Sequence, residues 1–148
     1  MQWSDLLELI QKGEDYTTKF IRLVNSEDQL GPTLVAMANT GGGKIIIGFD
    51  INNYHLVGTV LTEQFIHNLV EKFCYPTPSI HVELCENNDK RVMILYVETS
   101  DKKPFYFRNK CYVLNLDKSK FSVLEKSMPA PVIECAEEIA VAEKTVLN

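Results

Sequence analysis

The stretch Ala38–Asp50, ANTGGGKIIIGFD, places three consecutive glycines between a helical pattern and an apolar run. Glycine readily adopts positive φ, which the chain needs where a helix ends and turns sharply. The apolar run that follows is typical of a buried strand. The stretch therefore predicts a tight corner that leads from a helix into a central strand of a sheet.

A lysine follows the glycines, and this raises the alternative of a phosphate-binding loop. A Walker A loop has the spacing G-x-x-x-x-G-K-[ST] and runs from a strand into a helix. If Gly43 and Lys44 end that motif, Ala38 stands at its leading glycine and Ile45 at its hydroxyl position. The order of helix and strand is also reversed. We therefore expect no nucleotide binding of the P-loop kind and no cofactor.

The periodicity on both sides of the corner predicts the remaining elements. One helix is expected from Ser4, a possible N-cap, to Gly13, and a second over residues 26–40. A third is expected to begin after Thr62, which would be its N-cap. Strands are expected at residues 16–24, in hairpins over residues 79–97 and 104–116, and in a short return after residue 54. An acidic helix is expected at about residues 131–146. The pattern predicts an α+β fold with a mixed, mainly antiparallel sheet and helices packed on it.

Composition places the chain among soluble globular proteins. A length of 148 residues with 45% hydrophobic content fits one domain over residues 1–148. The sequence has no signal-peptide pattern and no run long enough to cross a bilayer, so we expect a cytoplasmic protein, or a nuclear one in a eukaryote. The four cysteines and three histidines lack zinc-ligand spacing, so we expect reduced thiols and no metal site.

Charge is distributed unevenly along the chain. The net charge is −5, but residues 102–120 hold six cations and one anion, a local charge of +5. Phe105, Tyr106, Phe107 and Tyr112 interleave with these cations. Base stacking and phosphate contact are both available to such a segment, although strand alternation would bury one or two of the rings. A solvated charged face is the alternative interpretation.

The segment LVAMANTGGGKIIIGFDINNYHLVG resembles the signature of the Schlafen AlbA-like domain, in which an A-N-[ST]-x-G-G corner precedes an Ile-Gly strand. This family is also described as DNA-binding or as divergent AAA-type ATP-binding. The downstream segment KKPFYFRNKCYV is similar to the family's R-P-[YF]-Y turn and Y-[VI]-R strand. The resemblance covers roughly residues 6–118. It implies an α+β domain that binds nucleic acid or, in some relatives, cleaves RNA at carboxylates on a basic surface.

The resemblance also implies candidate site residues. The family's E-x-x-x-x-E-F-K motif is matched here by Glu14 and Phe20, but Lys19 replaces its second acid and Ile21 its lysine. Asp50 is a candidate for the third acid. Glu14 and Asp50 would then be the remnant of a catalytic site. Candidate nucleic-acid-binding residues are Lys19, Arg22, Lys102, Lys103, Tyr106, Arg108, Lys110, Lys118 and Lys120.

The lost carboxylate favours a DNA- or RNA-binding module without catalysis. A metal-dependent endoribonuclease of the Schlafen type and a regulatory protein-interaction domain without nucleic-acid binding remain as alternatives. The expected partner is nucleic acid, bound weakly and salt-dependently, or a protein, and a homodimer is left open. We expect no membrane association.

Overall fold

The computed structural model describes residues 2–15, 17–115 and 122–126. The described helices are α1 (Trp3–Lys12), α2 (Glu27–Asn39) and α3 (Glu63–Phe73). The strands are β1 (Thr18–Ile21), β2 (Gly43–Ile47), β3 (Phe49–Asp50), β4 (His55–Leu56), β5 (Cys74–Tyr75), β6 (Ile80–Asn87), β7 (Lys90–Val97), β8 (Tyr106–Phe107), β9 (Lys110–Asn115) and β10 (Ser122–Lys126).

The described strands form two four-stranded sheets and a two-stranded ribbon. The first sheet has the order β1-β2-β7-β6, in which β1 and β2 are parallel and the other pairs antiparallel. The second sheet has the order β10-β9-β8-β5 and is antiparallel throughout. The ribbon pairs β3 with β4. The predicted α+β class with mainly antiparallel pairing is confirmed, and its strands are divided between separate sheets.

The larger core lies around α2, which contacts strands of both four-stranded sheets. One cluster of buried side chains includes Leu34 of α2, Ile45 of β2 and Leu114 of β9. A second cluster lies on the other face of the first sheet, where Leu6 and Ile10 of α1 pack with β-strand side chains. Helices thus cover both faces of the first sheet, so the apolar run of β2 is buried on both sides.

The glycine corner (residues 40–43) has the predicted course from α2 into β2. Gly41, Gly42 and Gly43 all have positive φ. The Gly42 N–H donates to Met37 O at 2.7 Å and so closes the end of the helix. A Cβ on Gly42 would lie 2.5 Å from Val97 O, and one on Gly43 would lie 2.4 Å from Thr17 O. Side chains are therefore excluded from the last two positions by neighbouring backbone as well as by φ.

Two local predictions were wrong. Gln2 is the N-cap of α1 in place of Ser4, because its backbone N–H is bonded by the Asp5 carboxylate in a capping box. The strand expected at residues 16–24 is limited to Thr18–Ile21, since its parallel pairing with β2 ends at Ile47. The Thr62 cap and the predicted hairpins are confirmed. The helix expected at residues 131–146 lies outside the described residues.

The described cysteines, Cys74, Cys85 and Cys111, are buried and form no disulfide with one another. Burial raises the pKa of the Cys74 thiol to about 12. Its thiolate, which is the reactive form, is therefore scarce at neutral pH. Among the described residues, no helix is both long and apolar enough to span a bilayer.

Gly31 of α2 lies directly against the Phe107 ring. A Cβ at Gly31 would lie 2.1 Å from Phe107 Cε1, well inside van der Waals contact. We expect Gly31→Ala to lower the free energy of unfolding by about 2 kcal/mol, because overpacking outweighs the roughly 1 kcal/mol gain in helix propensity. Urea denaturation measures this change. In a Phe107→Leu background the same substitution should cost less, and an equal cost in both backgrounds would contradict the contact.

Candidate functional site

The loop between β7 and β8, residues 98–105, is attached to the end of α2 by the side chain of Asn39. Asn39 Oδ1 accepts the Phe105 N–H at 2.7 Å, and Asn39 Nδ2 donates to Phe105 O at 3.0 Å. The same Nδ2 also donates to Tyr112 O of β9 at 2.9 Å. One side chain therefore connects α2, the loop and the second sheet. The glycine corner and the loop lie side by side, since Gly42 also approaches Thr99.

Lys102 and Lys103 occupy the exposed part of this loop. Neither forms an ion pair with any residue that the structure describes. The Lys102 N–H donates to Ser100 Oγ at 3.1 Å, and the loop enters the core at Phe105, which is buried. The two ammonium groups are thus exposed to solvent on a loop that is anchored at Phe105, two residues after Lys103.

Arg108 forms the turn between β8 and β9 and binds other parts of the fold. Its Nε lies 2.8 Å from Asp28 Oδ1 and its Nη2 lies 4.0 Å from Glu27 Oε1, both in the first turn of α2. Its guanidinium carbon is 4.3 Å from the centroid of the Phe73 ring. Arg108 therefore joins this turn to α2 and to the end of α3, and its charge is already matched by carboxylates.

The aromatic side chains of the basic segment are less accessible than the sequence predicts. Phe105, Tyr106 and Phe107 are 1%, 1% and 2% exposed, and only Tyr112 is half-buried. Tyr106 was a candidate for base stacking, and this expectation is corrected because a ring buried in the core presents no face to a base. Of these three, Phe107 packs against Gly31 of α2, and Phe105 is held at the Asn39 anchor.

Glu14 and Lys19, at the start of the first sheet, contact each other. Lys19 Nζ is 3.8 Å from Glu14 Oε2, and the same oxygen accepts the Phe20 N–H at 2.9 Å. Phe20 lies on β1, an edge strand among the described residues. Glu14 therefore satisfies a backbone donor at the sheet edge and lies next to the Lys19 ammonium group.

Asp50 and Arg22 form a second acid–cation pair, with 3.5 Å between Asp50 Oδ2 and Arg22 Nε. Asp50 Oδ1 accepts the backbone N–H groups of Asn52 and Asn53, and Oδ2 accepts Asn53 Nδ2 at 2.9 Å. The Asn53 side chain first, then these backbone bonds and Arg22, hold the pKa of Asp50 below its ordinary value of 3.8. Asp50 shapes the turn between β3 and β4 as an ionised carboxylate.

The candidate cations lie on several elements of the fold. Lys19 and Arg22 lie on or just after β1, whereas Lys102 and Lys103 lie in the loop before the second sheet. Lys110 begins β9 and is exposed, while Lys118 and Lys120 lie outside the described residues. The described part of the chain also holds no group of three or more acidic, histidine or cysteine side chains that could bind a metal ion.

A family profile described as "Schlafen, AlbA_2" matches residues 14–121. The chain belongs to this family. A comparison with curated proteins finds no match. The resemblance deduced from the glycine corner and the PFYF segment is thereby confirmed.

Solved structures share the fold of this Schlafen AlbA_2 domain. The DIP2311 protein of Corynebacterium diphtheriae has a TM-score of 0.60 at 15% identity, over 83% of this chain. The chain spans only 26% of that protein. The N-terminal domain of a Nitrosomonas europaea protein, named as related to the ATP-dependent DNA helicase RecG, has a TM-score of 0.55 at 18% identity. That comparison covers 91% of this chain and 94% of the other.

The Asn-Thr pair of the family signature, Asn39 and Thr40, has a structural role that was not predicted from the sequence. Thr40 Oγ1 donates to Ala36 O at 2.7 Å and accepts the Leu114 N–H at 3.2 Å. Asn39 and Thr40 together attach the glycine corner to the second sheet. The signal for this role was their position directly before the glycines, but their partners in the loop and in β9 lie 66 to 74 residues away in sequence.

Proposed function

We propose that this Schlafen AlbA_2 domain is a non-catalytic nucleic-acid-binding module whose contact surface is the loop between β7 and β8. The observation that carries the proposal is the attachment of this loop to Asn39 of the family signature. The signature thereby positions Lys102 and Lys103, which are exposed and make no ion pair with the described residues. Family membership and the fold shared with a helicase-related domain support the same function.

Binding through this loop would depend on phosphate charge and not on base sequence. Lysine ammonium groups contact phosphates without reading base edges, and the nearby aromatic rings of β8 are buried. The acidic residues Glu98 and Asp101 lie in the same loop as the two lysines, and the net charge of the whole chain is −5. We therefore expect weak binding, in the micromolar range or above, that decreases steeply with salt.

Fluorescence anisotropy with labelled single-stranded and duplex oligonucleotides of several sequences tests this proposal. We expect dissociation constants on the order of 1–100 µM at about 50 mM salt, with similar values among sequences and roughly tenfold weaker binding at about 200 mM. Absence of binding at low ionic strength would overturn the proposal. It would favour the alternative of a protein-interaction domain.

Cleavage is the second candidate activity, and we expect none with Mg²⁺ or Mn²⁺. Glu14 and Asp50 each bond backbone N–H groups and each lie beside a cation. A divalent cation placed near Lys19 would be repelled, and hard cations generally require several oxygen ligands. RNA and DNA are incubated with wild type, Glu14→Ala and Lys19→Glu, with and without chelator. Chelator-sensitive cleavage by wild type that is lost in Glu14→Ala would contradict the expectation.

A further inference from the structure

The strand β6 (Ile80–Asn87) is an open edge of the first sheet. It pairs with β7 over all eight residues on one side. Within the part of the chain that the structure describes, it has no strand on its other side. The strand contains neither proline nor lysine, which are residues that commonly prevent edge-to-edge pairing. No described strand therefore uses its outer backbone groups, and we take them as the surface that another strand can join.

The hydrogen bonds to β7 determine which residues of β6 direct their backbone groups outward. Ile80 lies opposite Val97, so Ser79 and Glu98 form the next pair along. The Glu98 N–H donates to Ser79 O at 3.1 Å, which marks that pair as hydrogen-bonded. Bonded and non-bonded pairs alternate in antiparallel sheets. The N–H and C=O groups of the even-numbered residues, Ile80, Val82, Leu84 and Glu86, therefore point away from β7.

The sequence around Val82 is complementary to itself in the antiparallel direction. With Val82 opposite its own copy, Ile80 faces Leu84 of the second chain on one side of the sheet, and this contact occurs twice. On the other side, His81 faces Glu83 of the second chain, also twice. Opposed apolar pairs and opposed His–Glu pairs both stabilise neighbouring strands. The exposure of Leu84, at 40%, leaves apolar surface for such a contact.

His81 and Glu83 are already compatible within one chain. His81 Nε2 lies 3.4 Å from Glu83 Oε1, and the two side chains are 64% and 31% exposed. Directly opposed residues of a non-bonded antiparallel pair have close Cα atoms, so the same two groups can meet across the axis. The interaction is a hydrogen bond with neutral imidazole and an ion pair when His81 is protonated.

We propose that a second copy of this chain pairs with β6, antiparallel and centred on Val82, to form a two-fold symmetric dimer. The pairing would join two four-stranded sheets into one continuous sheet through about six inter-chain N–H···O bonds. A two-fold axis through Val82 places the same residues on both sides of the interface, as closed homodimers require.

Cysteine cross-linking tests the register. Val82→Cys should be cross-linked between chains by a short bis-methanethiosulfonate reagent, because a residue opposite its own copy in a bonded pair has a Cα separation of about 5.5 Å. Leu84→Cys is the matched control, since residue 84 faces residue 80 of the other chain. The wild type, with buried Cys74, Cys85 and Cys111, gives the background. Cross-linking of Leu84→Cys equal to or above that of Val82→Cys would overturn the proposed register.

Sedimentation velocity tests the dimer itself. We expect the wild type to dimerise at concentrations of about 10–100 µM and Leu84→Lys to weaken the dimer at least tenfold. Leu23→Lys is the control, because Leu23 has a similar exposure of 42% but follows β1, at the opposite edge. A wild type that remains monomeric at about 100 µM, or a dimer insensitive to Leu84→Lys, would overturn the proposal.

Discussion

Asn39→Ala is expected to lower the free energy of unfolding by about 3 kcal/mol. The substitution removes the bonds of Asn39 to Phe105 N, Phe105 O and Tyr112 O. A neutral hydrogen bond contributes about 1 kcal/mol net, and a buried backbone group left without a partner costs about 1–3 kcal/mol. Phe105 is 1% exposed, so water does not readily replace the lost amide. The effect should therefore be among the largest of any single polar substitution in the described residues.

Chemical denaturation of wild type and variant measures the change. Asn68→Ala is the control, because Asn68 accepts a single exposed bond from Gln64 within α3. We expect that control to stay within about 0.5 kcal/mol of wild type. Asn39→Asp retains the acceptor for the Phe105 N–H but loses the donor bonds of Nδ2 to Phe105 O, Tyr112 O and Cys111 Sγ, so it should also destabilise the domain. Equal stability of Asn39→Ala and Asn68→Ala would show that Asn39 does not anchor the loop.

The double charge reversal Lys102→Glu/Lys103→Glu is expected to weaken nucleic-acid binding on the order of 100-fold. Each substitution removes one phosphate contact and introduces repulsion, and each tenfold loss corresponds to about 1.4 kcal/mol. Both side chains are exposed, so the fold should tolerate the change. Arg108 is left out of this variant because it pairs with Asp28 and packs on Phe73, and its loss would disturb the fold.

The matched control reverses two exposed lysines elsewhere, in Lys12→Glu/Lys72→Glu. These residues lie in the last turns of α1 and α3, and the double variant has the same change in net charge. We expect at most a few-fold weaker binding from this control. Equal losses in the two double variants would assign binding to net charge alone and would contradict a role for the loop.

The parts of the fold that follow from short-range rules were predictable. Three successive glycines with positive φ predict the corner, and Thr62 Oγ1 accepts the Phe65 N–H as its position before an amphipathic helix suggests. The β6–β7 turn at Asn88 and Asp89 has positive φ at both residues, which these residue types accept more readily than most. Each feature depends on residues within a few positions, so the sequence contains the necessary information.

The candidate site was less predictable because its geometry depends on residues far apart in sequence. Arg108 appeared to be one cation of a basic band, but its partner Asp28 lies 80 residues earlier, in α2. Tyr106 lies between Lys103 and Arg108 in the sequence, yet it is 1% exposed in the fold. Asn39 is uncharged and was not among the predicted site residues. Its importance comes from two backbone groups of Phe105, which only the folded chain brings within reach.

The dependence of binding on salt tests most directly the claim that Lys102 and Lys103 contact phosphates. The logarithm of the association constant is measured against the logarithm of salt concentration for wild type and for Lys102→Ala/Lys103→Ala. Each phosphate contact contributes about 0.9 to the slope on duplex and about 0.7 on single strands. We predict a slope smaller by about 1.4–1.8 in the double variant. An unchanged slope would contradict phosphate binding by this loop.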